Sequence, residues 1–445
     1  MIRRLSRLRE RVAGDRDLAE LVRGSGVFLV LRVLGMAAAY GFTLLVTRRL
    51  GAEAWGLFAL AFTVLQVAGM AGRLGLDLAL LRFVAAGASA GRPGRVKDVF
   101  LKALGLGLPA AAGLALVIHA AAGWLADAVF RKPGLAPLLE LAAWALPPYV
   151  ALYLVTESLR GLKRTAEYGF YQLALPFLWA AAAFYLAAGA GLSPRYALWV
   201  YVQGMLAALA AALVSWTARS GLLRVRREPF LPIRELVGVS FPMMVTTSLG
   251  MVMNWTDILM LGVFRAEAEV GIYNVAVRLA TVTSLALVAV NSIAAPKFSE
   301  FWGRGDVAGL GRVARQSTRM IFWWSAPVLA VFLAAPGPLL GLFGAGFEAG
   351  AAALVILTLA QFVNASCGSV GYILQMTGHH VAARNIVAAA TVMNVGLNAV
   401  LIPFFGMNGA AAASAACMVF WNAAMVVYIR RNLGVWTVFW KGGGR

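Results

Sequence analysis

Hydrophobic positions gather into unbroken runs of about 20 residues or more, with polar positions confined to the short stretches between them, as in helices that cross a bilayer core about 30 Å thick. Such runs are read at 26–46, 55–81, 99–123, 135–155, 168–188 and 197–217 in the first half of the chain. A second set follows at 236–264, 271–295, 320–342, 351–374, 381–404 and 407–429. The predicted fold class is therefore an all-α polytopic membrane protein of twelve spans. Its parts are a basic amphipathic segment at 1–25, a first lobe at 26–217, a basic linker at 218–235, a second lobe at 236–430 and a tail at 431–445.

Composition agrees with this reading. Of 445 residues, 61 % are hydrophobic and 13 % charged, against about 45–50 % apolar and about 25 % charged in a soluble domain. The net charge of +20 would suit a nucleic-acid partner, but position decides against it. With both termini in the cytoplasm, 30 of the 39 basic residues fall on or next to that side, and six fall on the other: Arg48, Arg49, Arg131, Lys132, Arg195 and Arg265. The excess follows the positive-inside rule, so it is topological and no nucleic-acid role is expected. The segment 1–25 carries seven arginines among Leu5, Leu8, Val12, Leu18, Leu21 and Val22. It reads as an interfacial helix on anionic lipid or as a basic tail, ahead of an uncleaved signal anchor. Cys367 and Cys417 both lie within apolar runs, and no disulfide is implied.

The chain also repeats itself. Leu50-Gly-Ala-Glu-Ala-Trp-Gly56 after the first span is echoed by Phe264-Arg-Ala-Glu-Ala-Glu-Val-Gly271 after the seventh. Gly161 after the fourth span answers to Gly378 after the tenth. An offset near 215 residues divides the chain into two six-helix halves inserted in the same orientation, a feature of transporters whose lobes flank a site.

Candidate chemistry is sparse. There is no phosphate-binding glycine loop, and His119, His379 and His380 lack metal-ligand spacing, so neither an enzyme nor a cofactor is expected. The informative residues are ionisable groups inside spans, each costing about 2.5–3.5 kcal/mol at a helix centre if left facing lipid. Arg32, Arg73 and Arg278 are the cations of this kind, and Asp77, Glu140 and Asp257 the acids. Asp257 and Arg278 each lie seven residues from the outer end of their spans, about 10 Å deep. That depth allows an ion pair, read either as structural or as a cavity cation with Asp257 as counter-charge or titrating group. Arg73 and Asp77 stand four apart on one helix face, which predicts an intrahelical pair. Arg32 is near enough to the cytoplasmic side to snorkel, and Glu140 and Glu157 read as structural or interfacial.

Three blocks carry a resemblance. The first is Arg49-Leu-Gly-Ala-Glu-Ala-Trp-Gly-Leu-Phe-Ala-Leu-Ala61 with Leu74-Gly-Leu-Asp-Leu-Ala-Leu-Leu-Arg-Phe83. The second is Asp257-Ile-Leu-Met-Leu-Gly262 with Val270-Gly-Ile-Tyr-Asn-Val-Ala276, and the third runs from Gln375-Met-Thr-Gly378 through Asn394 and Asn398 to Ile402–Ala411. In order and spacing they resemble bacterial polysaccharide (Wzx-type) flippases of the multidrug/oligosaccharidyl-lipid/polysaccharide exporter superfamily.

The resemblance implies a V-shaped pair of six-helix bundles working by alternating access. It implies movement of an undecaprenyl-pyrophosphate-linked oligosaccharide from the inner to the outer leaflet of the cytoplasmic membrane. By position, Arg32, Arg73 and Arg278 match the cavity arginines of related lipid II flippases and would bind the substrate. Asp257, Asp77 and Glu140 are the candidates for ion coupling or counter-charge, with H+ or Na+ as the ion. Membrane lipids, a polysaccharide polymerase and glycosyltransferases are the remaining expected partners. The alternatives are a lipid II flippase or a cation-coupled multidrug exporter of the same fold, and, in a different class, a membrane polymerase or glycosyltransferase or a non-transporting scaffold.

Overall fold

The computed structural model describes residues 16–187, 191–220 and 224–438. The segment read as interfacial at 1–25 lies outside the described residues up to 15, and from Arg16 it is helical. The helices of the first half are α1 (Arg16–Arg73), α2 (Leu76–Ser89), α3 (Pro93–Trp124), α4 (Ala136–Gly161), α5 (Thr165–Gly169), α6 (Leu175–Leu186) and α7 (Pro194–Ser220). Those of the second half are α8 (Ile233–Phe264), α9 (Glu267–Val282), α10 (Ser284–Gly303), α11 (Val307–Ala334), α12 (Pro336–Gly341), α13 (Ala351–Cys367), α14 (Val370–Met376) and α15 (His380–Leu433). No strand occurs among the described residues.

Nine helical runs among the described residues are long and apolar enough to cross a membrane. Two of them, at 44 and 54 residues, suffice for two crossings each. Each is broken at a glycine of positive φ, Gly51 (82°) in α1 and Gly406 (56°) in α15. With α8, which has 32 residues, the helices accommodate the twelve spans read from the sequence, and the chain is an all-α multi-pass membrane protein. The break at Gly406, between two crossings, leaves backbone groups without helical partners. Arg265 meets them by donating to the Ile402 and Pro403 carbonyls at 3.2 and 2.8 Å, while the Met407 N–H donates to the Glu269 carboxylate at 3.2 Å.

The chain forms two compact units. The first comprises Met1–Leu45, Leu65–Ala121 and Leu139–Val245, and the second Val46–Val64, Ala122–Leu138 and Thr246–Arg445. In the first, the connection between α7 and α8 is strapped to the start of α3. The fully buried Asp98 carboxylate accepts from Lys102 Nζ (2.6 Å), Arg227 Nε (2.7 Å) and the Phe230 N–H (3.0 Å). Glu228 adds an ion pair with Arg95 at 2.9 Å and donates its N–H to the Gly94 carbonyl at 3.2 Å. The basic linker is thus held by one buried carboxylate with three donors and by Glu228 beside it.

In the second unit, α13 packs between α11 and α15 around the fully buried Phe298, Leu310, Ile373 and Ile429. Its tightest contact joins the two glycines that the repeat aligns. A Cβ on Gly56 would stand 1.9 Å from the Glu267 carbonyl oxygen, and one on Gly271 would stand 2.1 Å from the Ala52 carbonyl oxygen. The contact is reciprocal: residues 52–56 meet residues 267–271, and only glycine lets the two backbones approach this closely. Replacing either Gly56 or Gly271 by valine is expected to lower the unfolding free energy in detergent by about 1–3 kcal/mol, the cost of overpacking, read as the shift of a denaturation midpoint.

Candidate functional site

The sequence-predicted residues of the second unit sort into two polar clusters. In the first, Asp257 on α8 is 4 % exposed and accepts only from neutral donors. Tyr273 Oη donates at 2.8 Å, Asn398 Nδ2 at 2.6 Å, Asn394 Nδ2 at 3.2 Å, and the Ser414 hydroxyl completes the set. Asn398 also donates to Asn394 Oδ1 at 3.1 Å, which leaves the buried Asn398 Oδ1 without a hydrogen-bond partner beside the carboxylate. The elements explain the convergence. Asn394 and Asn398 are one turn apart on α15, Ser414 follows the bend at Gly406 on the returning arm, and Tyr273 comes from α9. Four donors aimed at one carboxylate favour its charged form, and the Asn398 Oδ1 beside it is the one oxygen of the set left idle.

The second cluster holds Arg278. Its Nε donates to Asn274 Oδ1 at 3.0 Å, and the same oxygen accepts from Trp55 Nε1 at 3.1 Å. The guanidinium carbon lies 5.3 Å from the Trp55 ring centroid, a cation–π arrangement that orients the cation without adding negative charge. The ion pair that depth allowed between Asp257 and Arg278 is not among those formed by the described residues: the four partners given for Asp257 are neutral. Equal depth is not equal azimuth. Tyr273 is the residue of α9 that meets Asp257, and five residues further along, at about 100° per residue, Arg278 points elsewhere.

Lys132, counted by sequence only as one of six outer basic residues, is also drawn in. Buried at 4 % exposure, its ammonium donates to the carbonyls of Gly262 and Arg265 (both 2.7 Å) and Phe130 (3.1 Å). A cation at the end of α8 complements that helix's dipole. Burial pushes the Lys132 pKa below the usual lysine value, and the Glu267 carboxylate opposes that shift.

In the first unit Arg73 and Asp77 form the predicted pair, at 3.2 Å, but across a break and not within one helix: α1 ends at Arg73, and Leu74 (φ 53°) and Gly75 (φ 72°) turn the chain before α2. Arg73 is 7 % exposed, donates Nε to the Gly69 carbonyl at 3.1 Å and lies 4.1 Å from the Tyr153 ring centroid. Glu157 is buried and pairs with Arg160 at 3.3 Å. Arg32 on α1 and Glu140 on α4 are half-buried. Neither makes a hydrogen bond or ion pair among the described residues.

The family described as polysaccharide biosynthesis protein matches residues 21–302. The chain belongs to that family. The match takes in the first two blocks on which the resemblance was read and ends before the third. At 25 % identity over 263 residues, the chain is similar to the probable low-salt glycan biosynthesis flippase Agl15 of Haloferax volcanii. The alignment includes 59 % of this chain and 54 % of that protein, so the chain spans about half the length of this relative. Among solved structures, an inward-facing multidrug resistance MATE family transporter of the MOP superfamily superposes with a TM-score of 0.74 at 16 % identity, over 91 % of this chain and 98 % of that one. Lipid II flippase MurJ, in an inward closed conformation, gives 0.72 at 10 % identity, over 92 % and 87 %. This polysaccharide biosynthesis family member therefore has the MOP superfamily fold.

What the sequence reading missed in this family member is the set around Asp257. The spacing of Asn394 and Asn398 was the available signal, since two amides one turn apart in an apolar span need a shared polar partner. Substituting Asp257 by alanine strands the Tyr273, Asn394 and Asn398 donors in a buried site. The expected loss is about 3 kcal/mol or more of unfolding free energy, measured by denaturation in detergent, whereas Glu140→Ala is expected to leave the midpoint in place.

Proposed function

We propose that the protein is a flippase carrying a polyprenyl-pyrophosphate-linked oligosaccharide from the inner to the outer leaflet of the cytoplasmic membrane, for cell-surface polysaccharide synthesis. The observation that carries this reading is membership of the polysaccharide biosynthesis family in a chain whose polar groups are set into membrane-crossing helices. A pyrophosphate needs a cation in that setting, and arginine answers it with a planar fork of N–H donors. Arg278, oriented by Asn274 and Trp55, and Arg32 are assigned to the pyrophosphate. Arg73 is assigned a lesser share, because Asp77 already neutralises it. The prenyl chain stays in lipid, and no bond is made or broken, so the protein acts as a transporter and not as an enzyme.

Both termini are proposed to be cytoplasmic, with alternating access as the means of translocation. Asp257 is the proposed coupling residue. An inward-moving H+ or Na+ is worth about 2.3 kcal/mol per charge per 100 mV, enough to bias the return of the empty carrier. Asp77 is committed to its pair with Arg73, and Glu140 is a weaker candidate than Asp257 because it lacks a donor set. A polymerase and glycosyltransferases are the partners that such a substrate requires on either side of the step.

The test is reconstitution in liposomes with a fluorescent undecaprenyl-pyrophosphate oligosaccharide, following its appearance in the opposite leaflet. Arg32→Ala and Arg278→Ala are each expected to slow transfer by about tenfold or more, as loss of a charge-assisted hydrogen bond would, and Arg73→Ala by less. Asp257→Asn is expected to abolish the response to an imposed ion gradient while passive equilibration persists. Wild-type protein that moves no lipid-linked glycan yet extrudes an organic cation would overturn the reading in favour of a drug exporter.

A further inference from the structure

A second polar feature of the second unit is a cavity of about 300 Å³, at the low end of the range for small-molecule sites. Its polar wall is made of Asn291, Asn364, Ser369 and Asn422, and Trp421 and Tyr372 supply aromatic surface. No Asp, Glu, Lys, Arg or His lines it, so its chemistry is uncharged, unlike the Asp257 and Arg278 clusters.

Two of its lining residues each keep one amide atom buried behind the wall without a hydrogen-bond partner among the described residues, the Asn291 Nδ2 donor and the Asn422 Oδ1 acceptor. Both residues are at least 98 % buried. The orientation of each amide is set by its other end: Asn422 Nδ2 donates to the Met418 carbonyl at 2.9 Å, and Asn291 Oδ1 accepts from the Ser369 hydroxyl. Two orphaned amide atoms in a membrane-embedded core each carry a desolvation penalty, and a turn of each amide toward the cavity lets a ligand that both donates and accepts remove it.

The backbone supports the same conclusion. Between α13 and α14 the helix stops at Gly368 (φ 73°), and a Cβ there would stand 2.1 Å from Thr318 Oγ1. Irregular backbone at membrane depth is tolerated where it is buried in protein or lines a cavity. Here it does both, and it delivers Ser369, Gly371 and Tyr372 to the cavity wall.

We propose that this cavity is a subsite for one uncharged pyranose unit of the transported glycan. A sugar hydroxyl donates and accepts at once, matching Asn422 Oδ1 and Asn291 Nδ2, and the C–H face of the ring suits Trp421 or Tyr372. The volume holds a single ring and not an oligosaccharide. The proposal rests on the glycan-transport reading above and adds to it a site for sugar recognition separate from the arginines.

Saturation-transfer NMR on the full chain in nanodiscs tests it, with methyl β-D-glucopyranoside and methyl N-acetyl-β-D-glucosaminide as probes and methyl β-D-glucuronide as the charged control. Wild type is expected to saturate at least one neutral glycoside more strongly than the glucuronide. Gly371→Leu adds bulk to the cavity wall at a position where a Cβ meets only the Met425 sulfur, at 4.0 Å. That variant and Asn422→Leu are expected to weaken the signal about tenfold, Asn422→Ser less, and Arg278→Ala not at all. In the wild type itself, a diazirine derivative of the bound glycoside is expected to label 364–372 or 418–425, a readout independent of variant folding. Labelling elsewhere, or signals unchanged by Gly371→Leu, overturns the subsite. So does the absence of any glycoside signal from protein that still transfers the lipid-linked oligosaccharide. Failure of that transfer in the wild type instead overturns the flippase reading, whatever the glycosides do.

Discussion

Hydrocarbon supplies no hydrogen bonds, and this one constraint shapes the buried polar features of the protein: a polar group buried within a span is answered by another part of the chain. The answers differ in kind. Arg73 is met by a carboxylate, a carbonyl and an aromatic face. Asp257 is met by four neutral donors, and Lys132 by three carbonyls. The interrupted backbone at Gly406 is met by Arg265 and Glu269. Where a charge is met by an opposite charge, the pair is silent toward a substrate. Where neutral groups meet it, the charge is solvated but not cancelled. This difference, rather than burial alone, separates Arg73 from Asp257.

The same constraint explains what the sequence could disclose. Apolar run length is a direct imprint of bilayer thickness, so the spans were legible, as was the Arg73–Asp77 pair from its spacing of four, though not the break at Leu74 and Gly75 that the pair bridges. The repeat was legible as an offset between Gly56 and Gly271. That these two glycines press on each other's segments was not, because a linear offset carries no information on which copies touch. Depth likewise placed Asp257 and Arg278 at one level, but the rotation of α9 about its axis brings Tyr273 and not Arg278 to the carboxylate. The Asp98 strap was hidden for a related reason: its ligands, Lys102, Arg227 and Phe230, are up to 132 residues away in sequence, and a basic linker looks the same whether free or bound.

Asparagines were the least legible residues and the most consequential. As neutral residues they leave no trace in a charge pattern, and one amide lowers the hydropathy of a long span only slightly. Yet Asn274 orients Arg278, Asn394 and Asn398 hold Asp257, and Asn291 and Asn422 line the cavity. A buried amide must both donate and accept to be satisfied. An asparagine inside a span is therefore a sign of a polar neighbour not yet identified.

The Asp257 nest and the neutral cavity share their walls in a consistent order. On α8, Asp257 lies one turn beyond Met253, which lines the cavity. On the first arm of α15, Asn394 is followed one turn back by Ala390 and then by Val387 at the cavity. On the returning arm, Ser414 gives way to Cys417 and then to Trp421 and Asn422. Met253, Ala390 and Cys417 pack together as a buried apolar cluster, with Trp421 against it. Three helical segments thus carry, in register, a carboxylate site, an apolar plate one residue layer thick and a cavity. Closely packed side chains transmit displacement because they have no void into which to relax. A displacement of Trp421 or Val387 therefore bears on the same segments that aim Ser414 and Asn394 at Asp257, through packing and without a relay of charged residues.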